Sequence, residues 1–305
     1  MTANLLITGA SGCVGHYIFD RLVKDPGYHL YLLLPTPAKL RRDLSRFQNV
    51  TVLQTSLAEL GQQRELLAGM DYLVHLAAGW GNSETNYDWT KALLANLSPE
   101  RLKKVIYFST ASILGPDNRP AEAVAGIGTS YITSKYRMLK ELPGLKLYDR
   151  IITLFPTWVL GGSPRHPYSH AMSGIRGAVR WLWLLRFFRF DMSFHFIHAQ
   201  DMAAIVEYLL QHDPGEREYV LGNEPISAGQ LIERICRYYR KRVYFQVPIP
   251  ARLVERVAGL FGQGLSEWDK YCLEKKDFSH RISNAATFGL PSNHAEIESV
   301  LQELT

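Results

Sequence analysis

Thr8-Gly9-Ala10-Ser11-Gly12-Cys13-Val14-Gly15 follows directly on the apolar run Leu5-Leu6-Ile7 and leads into a stretch where Val14, Ile18 and Leu22 recur four apart. The run reads as a buried strand and the stretch as an amphipathic helix. Between them the three glycines have separate uses. Gly9 permits a tight turn, Gly12 lets backbone N–H groups approach a pyrophosphate, and Gly15 lets the helix pack close to the strand. The helix start adds unpaired N–H donors and the positive end of its dipole. Glycine triplets also occur in plain turns; the strand–turn–helix setting makes this one a dinucleotide-binding loop.

Outward from the loop, short apolar runs recur at 30–34, 50–53, 72–76, 105–108 and 151–155, with helix-period stretches between them. That alternation predicts an α/β, Rossmann-type doubly wound parallel sheet with helices on both faces. After Pro156 the alternation stops. Gly161-Gly162-Ser163-Pro164 is loop-like and an aromatic, Arg-rich stretch follows. Regularity returns at 195–198, then a helix over 201–211, a strand over 218–221, and helical segments from 224 on. The expected organisation is a dinucleotide-binding domain over 1–157, rejoined by about 195–223. A smaller, mostly helical substrate domain takes 158–194 and 224–305. The 305 residues suit two such units and a core that needs no staples.

Composition removes several classes. Apolar residues make 47% and charged residues 21%, which excludes general disorder. No apolar run reaches the roughly 18–20 uncharged residues of a membrane span. Met1-Thr2-Ala3-Asn4 lacks the basic head of a signal peptide. Cys13, Cys236 and Cys272 are odd in number, widely spaced and without a C-x-x-C pair. They predict neither disulfides nor a structural zinc site and fit a reducing cytoplasm. Net charge is +5, but basic residues are scattered apart from Arg41-Arg42 and Arg176 to Arg189, so nucleic acid is not an expected partner.

The G-x-x-G-x-x-G spacing resembles the short-chain dehydrogenase/reductase superfamily. That family has a Tyr and a Lys four apart on one helix, and four such pairs occur here: Tyr87/Lys91, Tyr131/Lys135, Tyr136/Lys140 and Tyr271/Lys275. The chemistry needs a hydroxyl at the end of the fifth strand, which Phe108-Ser109-Thr110-Ala111-Ser112 supplies. Tyr131/Lys135 follows directly and alone carries the family's usual Ser before the Lys. The resemblance implies Tyr131 as general acid or base, Lys135 as the charge that lowers its pKa and as the ribose contact, and Thr110 as hydrogen-bond donor to the substrate oxygen. Ser109 and Ser112 are the alternatives to Thr110.

The likeness extends over most of the chain and points to the extended group, which includes nucleotide-sugar epimerases and dihydroflavonol-type reductases. Asp71-Tyr72-Leu73-Val74-His75-Leu76-Ala77-Ala78 looks like its fourth-strand signature, Asn86 like its bracing Asn, and Pro156-Thr157-Trp158 like its sixth-strand exit. Phe196 to Ala203 resembles its return segment, where Asp201 reads as a helix N-cap, and Phe288-Gly289-Leu290-Pro291 resembles its tail. The implied cofactor contacts are Gly9, Ser11, Gly12, Cys13, Val14, Gly15, Arg42, Ser56, Leu57, Leu76, Ala77, Ala78, Tyr131, Lys135, Pro156 and Trp158. Three positions depart from the pattern: Ser56 stands where an Asp often contacts adenine, Leu114 where a Tyr is usual, and Phe155 where an Arg is usual. At the end of the second strand Pro35-Thr36 offers no carboxylate, and Lys39, Arg41 and Arg42 follow, which favours NADP over NAD.

Trp158, Trp181, Trp183, Phe187, Phe188, Phe190, Phe194 and Phe196 cluster where substrate should sit, and Ser112, Trp158 and Trp181 are the expected substrate contacts. Three readings stay open for 176–190: core, wall of an apolar pocket, or a surface resting on a membrane or partner. Arg165, His166, Arg176, Arg180, Arg186 and Arg189 are available to a nucleotide sugar's phosphates. His166, His170, His195 and His198 make no convincing metal site. The expected function is an NAD(P)-dependent oxidoreductase acting on a carbonyl/alcohol pair of a small, fairly apolar substrate. An epimerase or dehydratase that retains its NAD(P), and a non-catalytic dinucleotide-sensing module, are the alternatives. Association into a homodimer is left open.

Overall fold

A computed structural model describes residues 2–190, 192–250 and 266–304. Met1 and the 251–265 part of the segment read as helical lie outside the described residues. The main sheet has seven strands: β1 (Ala3–Thr8), β2 (Tyr28–Leu33), β3 (Val50–Leu53), β4 (Tyr72–His75), β5 (Lys104–Phe108), β6 (Ile151–Pro156) and, after a pair formed by β7 (Trp158–Leu160) and β8 (Phe196–His198), β9 (Glu218–Leu221). Their order is β9-β6-β5-β4-β1-β2-β3, and every pairing is parallel. This is the Rossmann-like fold the alternation predicts.

Successive side chains of a strand point to opposite faces, and β1 shows what that does. Leu5 and Ile7 join one core; Leu6 joins the other. The first core is closed by α1 (Cys13–Leu22), through Ile18 and Leu22, and by a helix at Ala199–Gln211, through Ile205 and Leu209. The second is closed by helices at Asp88–Ala95 and Ser130–Glu141, through Leu93 and Met138. With both faces covered, the strands read as continuous apolar runs rather than alternating ones. Each fully buried Leu contributes roughly 1.5–3 kcal/mol. Strand order reverses between β1 and β4, and open α/β sheets bind ligands at the carboxyl ends of the strands at such a point.

A third apolar cluster gathers Leu160, Met172, Ile175, Leu182, Ile235 and Val300. It is built on helices at His170–Val179 and Ala228–Tyr238, with several two-residue strand pairings beside them. Strands that short carry no readable period, so the sequence offers only the expectation of a mostly helical unit here. The residues of 176–190 divide: Leu182 is core, whereas Trp181 and Trp183 face outward. No helix among the described residues is long and apolar enough to cross a membrane.

The Ala199–Gln211 helix is capped by His198, whose Nδ1 accepts from Gln200 N, and not by Asp201. Asp201 sits in the first turn and accepts a hydrogen bond from Ser292 Oγ at 2.6 Å. An imidazole cap is missing from the usual capping preferences, which is why the carboxylate drew the reading. Phe288 of the tail segment packs on Tyr208 and Tyr219.

Candidate active site

Where the sheet order reverses, a cavity of about 600 Å³ opens. The glycine loop lines one side with Gly9, Gly12, Cys13, Val14 and Gly15; Leu76 and Ala78 follow β4; Ser109, Thr110 and Ser112 follow β5; Pro156 ends β6 and Trp158 comes two residues later. Gly9 has φ +79°, and a Cβ there would come within 2.7 Å of Ala77 N. At Gly15 a Cβ would meet Gly9 O at 2.3 Å and Ala10 Cα at 2.6 Å. Backbone therefore approaches backbone on both sides of the loop. The start of α1 carries no side-chain cap, which leaves its N–H groups for an anion. A dinucleotide pyrophosphate fits this cradle. Under it, His75 bridges Thr8 Oγ1 (2.7 Å) and Thr90 Oγ1 (2.9 Å), and burial pushes the imidazole down to about 3, so it stays neutral.

Tyr131 and Lys135 project from the first turns of the Ser130–Glu141 helix, whose start is capped by Thr129. Both line the cavity together with Thr110. Burial pushes the Tyr131 phenol up to about 12, and hydrogen bonding with Thr110 pulls the other way. Lys135 is buried; its Nζ donates to Phe108 O at 2.8 Å and lies 5.0 Å from the centre of the Tyr107 ring. The sequence expectation was that Lys135 lowers the Tyr131 pKa. Here the amine is turned to a carbonyl, and desolvation dominates the phenol instead. A neutral phenol is ready to give a proton.

The Lys135 amine itself is lowered to about 7 by burial, against 10.5 in an open chain. Between those values the unfolded chain holds the extra proton. This group therefore makes stability rise with pH, by at most about 1.4 kcal/mol per unit, and its cost is fully present below about pH 7. Lys135→Met is expected to remove that rise. Thermal melts of both proteins from about pH 6 to about pH 9 read it, and parallel curves would refute a lowered Lys135.

Asn86 ties the Tyr131 helix to the β4 exit. It donates to Ser134 Oγ (3.1 Å) and Gly79 O (2.8 Å) and accepts from Gly79 N (2.9 Å). The brace fixes the residue after Gly79, which is Trp80. The Trp80 ring stacks on Tyr131, centroids 4.5 Å apart and planes 16° apart, and lies 4.8 Å from His170. Trp80 and Trp268 both line the cavity. Sequence reading missed both. The available signal for Trp80 was an aromatic residue just past the fourth-strand segment.

The other expected site residues are distributed unevenly. Trp158 lines the cavity and packs on Phe194. Ser11 and Ala77 belong to the loop and the β4 exit but are not in the cavity wall, and Ala77 N donates to Thr8 Oγ1. Ser56 is engaged in a reciprocal helix cap with Glu59, and Leu57 is core; neither reaches the cavity. Arg42 is bound to both oxygens of Asp20 and to Arg165 O, with His166 on the same carboxylate, which holds Asp20 well below the usual range. Trp181 is separate from the cavity and 54% exposed. It follows the far end of the helix that begins at His170, about 15 Å along its axis. Among the described residues, His198, His294 and Glu303 bring ligand-type atoms within 4.8 Å of one another. The two rings stack at 3.7 Å and 16°, so their nitrogens run side by side instead of converging, and His198 Nε2 pairs with Glu303 at 2.9 Å. That arrangement clasps the C-terminal segment.

The sequence model of the NAD-dependent epimerase/dehydratase family matches residues 5–222. No curated protein matches the chain. Solved structures with the same fold include the UDP-N-acetylglucosamine 4-epimerase of Methanobrevibacter ruminantium, 17% identical, covering 100% of this chain and 97% of that one at a TM-score of 0.67. The UDP-glucose 4-epimerase of Bifidobacterium longum, in complex with NAD+ and UDP, is 14% identical over 99% and 97%, at 0.69. The dTDP-glucose 4,6-dehydratase of Bacillus anthracis, in complex with NAD, is 14% identical over 99% and 95%, at 0.68. With more than half its length matched by the family model, the chain belongs to the NAD-dependent epimerase/dehydratase family and is an enzyme, not a binding module without turnover.

Proposed function

We propose that this enzyme interconverts the carbonyl and alcohol forms of a small, fairly apolar substrate. One observation carries the reading: Thr110, Tyr131 and Lys135 share a cavity with the glycine loop, and its wall includes Trp80, Trp158 and Trp268, with Lys135 the one residue of the Lys, Arg, Asp and Glu types among the described lining residues. The nicotinamide supplies or accepts the hydride. In reduction Tyr131 gives its proton to the substrate oxygen, and Thr110, with Ser112 beside it, hydrogen-bonds the charge that develops there. Lys135, whose amine here donates to Phe108 O, would hold the ribose when the dinucleotide binds. In oxidation the proton returns to Tyr131.

The second reading is an epimerase or dehydratase acting on a nucleotide sugar, which the family description favours. A diphosphate needs cations, and none of Arg165, Arg176, Arg180, Arg186 and Arg189 lines the cavity. That is the reason for ranking it second. The purified protein, supplied with NAD(P)H and a panel of ketones and aldehydes, is expected to consume cofactor with net turnover. Tightly retained dinucleotide, no net consumption and interconversion of an added nucleotide sugar would replace the first reading by the second.

NADP(H) is the expected form. Pro35 and Thr36 bring no carboxylate to the 2′ position, and Lys39 and Arg41 are exposed beside it. Arg42, already bound to Asp20, frames that corner. Titration with both dinucleotides tests the choice, and tighter NAD binding reverses it. Three unpaired cysteines fit a cytoplasmic setting.

A further inference from the structure

Residues 176–190 carry Arg176, Arg180, Arg186 and Arg189, and residues 236–249 carry Arg237, Arg240, Lys241 and Arg242; neither segment holds an acid. The fold joins them into one surface. Phe188 pairs with Val247 and Arg189 with Pro248 in a short parallel ladder. The Phe187 and Phe245 rings stack at 5.1 Å, and Arg186 donates to Arg242 O at 3.2 Å. Apart from Trp80 and Trp158 of the cavity, the large apolar side chains exposed among the described residues all belong to this surface: Trp181, Trp183, Leu184, Tyr244, Phe245 and Val247. Trp183 and Phe245 are each 59% exposed. Leu182 and Cys236 anchor the same segments to the core from beneath, so the outward groups are displayed on packed structure.

Three occupants are conceivable, and the chemistry separates them. A second copy related by a two-fold axis would set the cationic face against itself. A single strand of nucleic acid would use the rings and cations but give Leu184 and Val247 nothing to do. A bilayer surface of anionic lipid uses every group: Trp and Tyr at the headgroup level, aliphatic tips below them, Arg and Lys on the phosphates. We propose that this face docks the enzyme on an anionic membrane surface. It lies beyond the far end of the helix whose first residue, His170, lines the cavity. None of the exposed groups of this face lines the cavity, and the proposal does not depend on which substrate the cavity takes.

Co-sedimentation of the full chain with vesicles tests it. Binding is expected to vesicles of phosphatidylcholine mixed with phosphatidylserine, and to be at least about tenfold weaker with phosphatidylcholine alone or at high salt. Trp183→Ser with Phe245→Ser should abolish binding by removing the interfacial rings. Lys241→Glu with Arg242→Glu should abolish it by reversing charge. Both variants should keep the parent's melting temperature and turnover, since none of the four residues touches the cavity. Failure to bind serine-containing vesicles overturns the proposal. So does equal binding to both vesicle types, tighter binding to single-stranded RNA than to vesicles, or a lipid-independent dimer that Trp183→Ser dissolves.

Discussion

Tyr131→Phe should keep its fold and its affinity for dinucleotide and lose about 10²–10⁴-fold in turnover. The substitution removes one oxygen. The ring still stacks under Trp80, so packing survives, while the hydroxyl proposed as proton donor to the substrate oxygen is gone. The other Tyr/Lys pairs have partners elsewhere. Tyr136 donates to Glu122 at 2.6 Å, and Lys140 reaches the same carboxylate at 2.8 Å. Lys91 pairs with Glu141 at 2.7 Å, and Lys275 donates to Leu114 O. Tyr136→Phe is therefore the matched control and should leave kcat near the parent value. Steady-state kinetics with dinucleotide titration decide it: an active Tyr131→Phe beside an inactive Tyr136→Phe or Tyr87→Phe would move the catalytic role to another pair.

The second large effect is on the loop. Gly15→Ala should lower stability by about 3 kcal/mol and abolish dinucleotide binding, because the new methyl meets only backbone, at 2.3 Å from Gly9 O and 2.6–2.8 Å from Ala10. No side chain there can swing aside. Gly12→Ala makes the instructive contrast. Its Cβ meets Gly9 O at 3.4 Å, an ordinary contact, so the melting temperature should hold while the pyrophosphate loses its close approach and binding falls. Thermal melts read the first difference and dinucleotide titration the second. Equal melting temperatures for the two variants would mean that Gly15 is not the packing glycine.

The parts of the fold that could be read in advance share one physical cause. Strands buried on both faces leave unbroken apolar runs, and the loop glycines sit where strand gives way to helix, so β1 to β6 and the turn at 9–15 are written locally. Trp80 was not, because a loop has no period and its position comes from the Asn86 brace, seven residues ahead of Gly79 and folded back onto it. Lys135 lines the cavity one turn after Tyr131, but a four-carbon stem lets the amine choose its partner, and the Phe108 carbonyl was invisible in the sequence. Trp181 was read by its nearness to other aromatic residues along the chain. The His170–Val179 helix lies between it and Trp158, and Trp181 stands on an outer surface, not in the cavity wall.

The place of β9 has a consequence for how the protein is made. Thr153 to Pro156 in β6 wait for Glu218 to Leu221 as their outer neighbour, and residues 157–217 must be synthesised in between. At roughly 5–20 residues per second the ribosome leaves that edge unpaired for several seconds. The waiting strand is Ile151-Ile152-Thr153-Leu154-Phe155, a β-prone, uncharged template for pairing with another chain. A nascent chain halted before Glu218 therefore depends on chaperones, and one that has released Leu221 can close its own sheet.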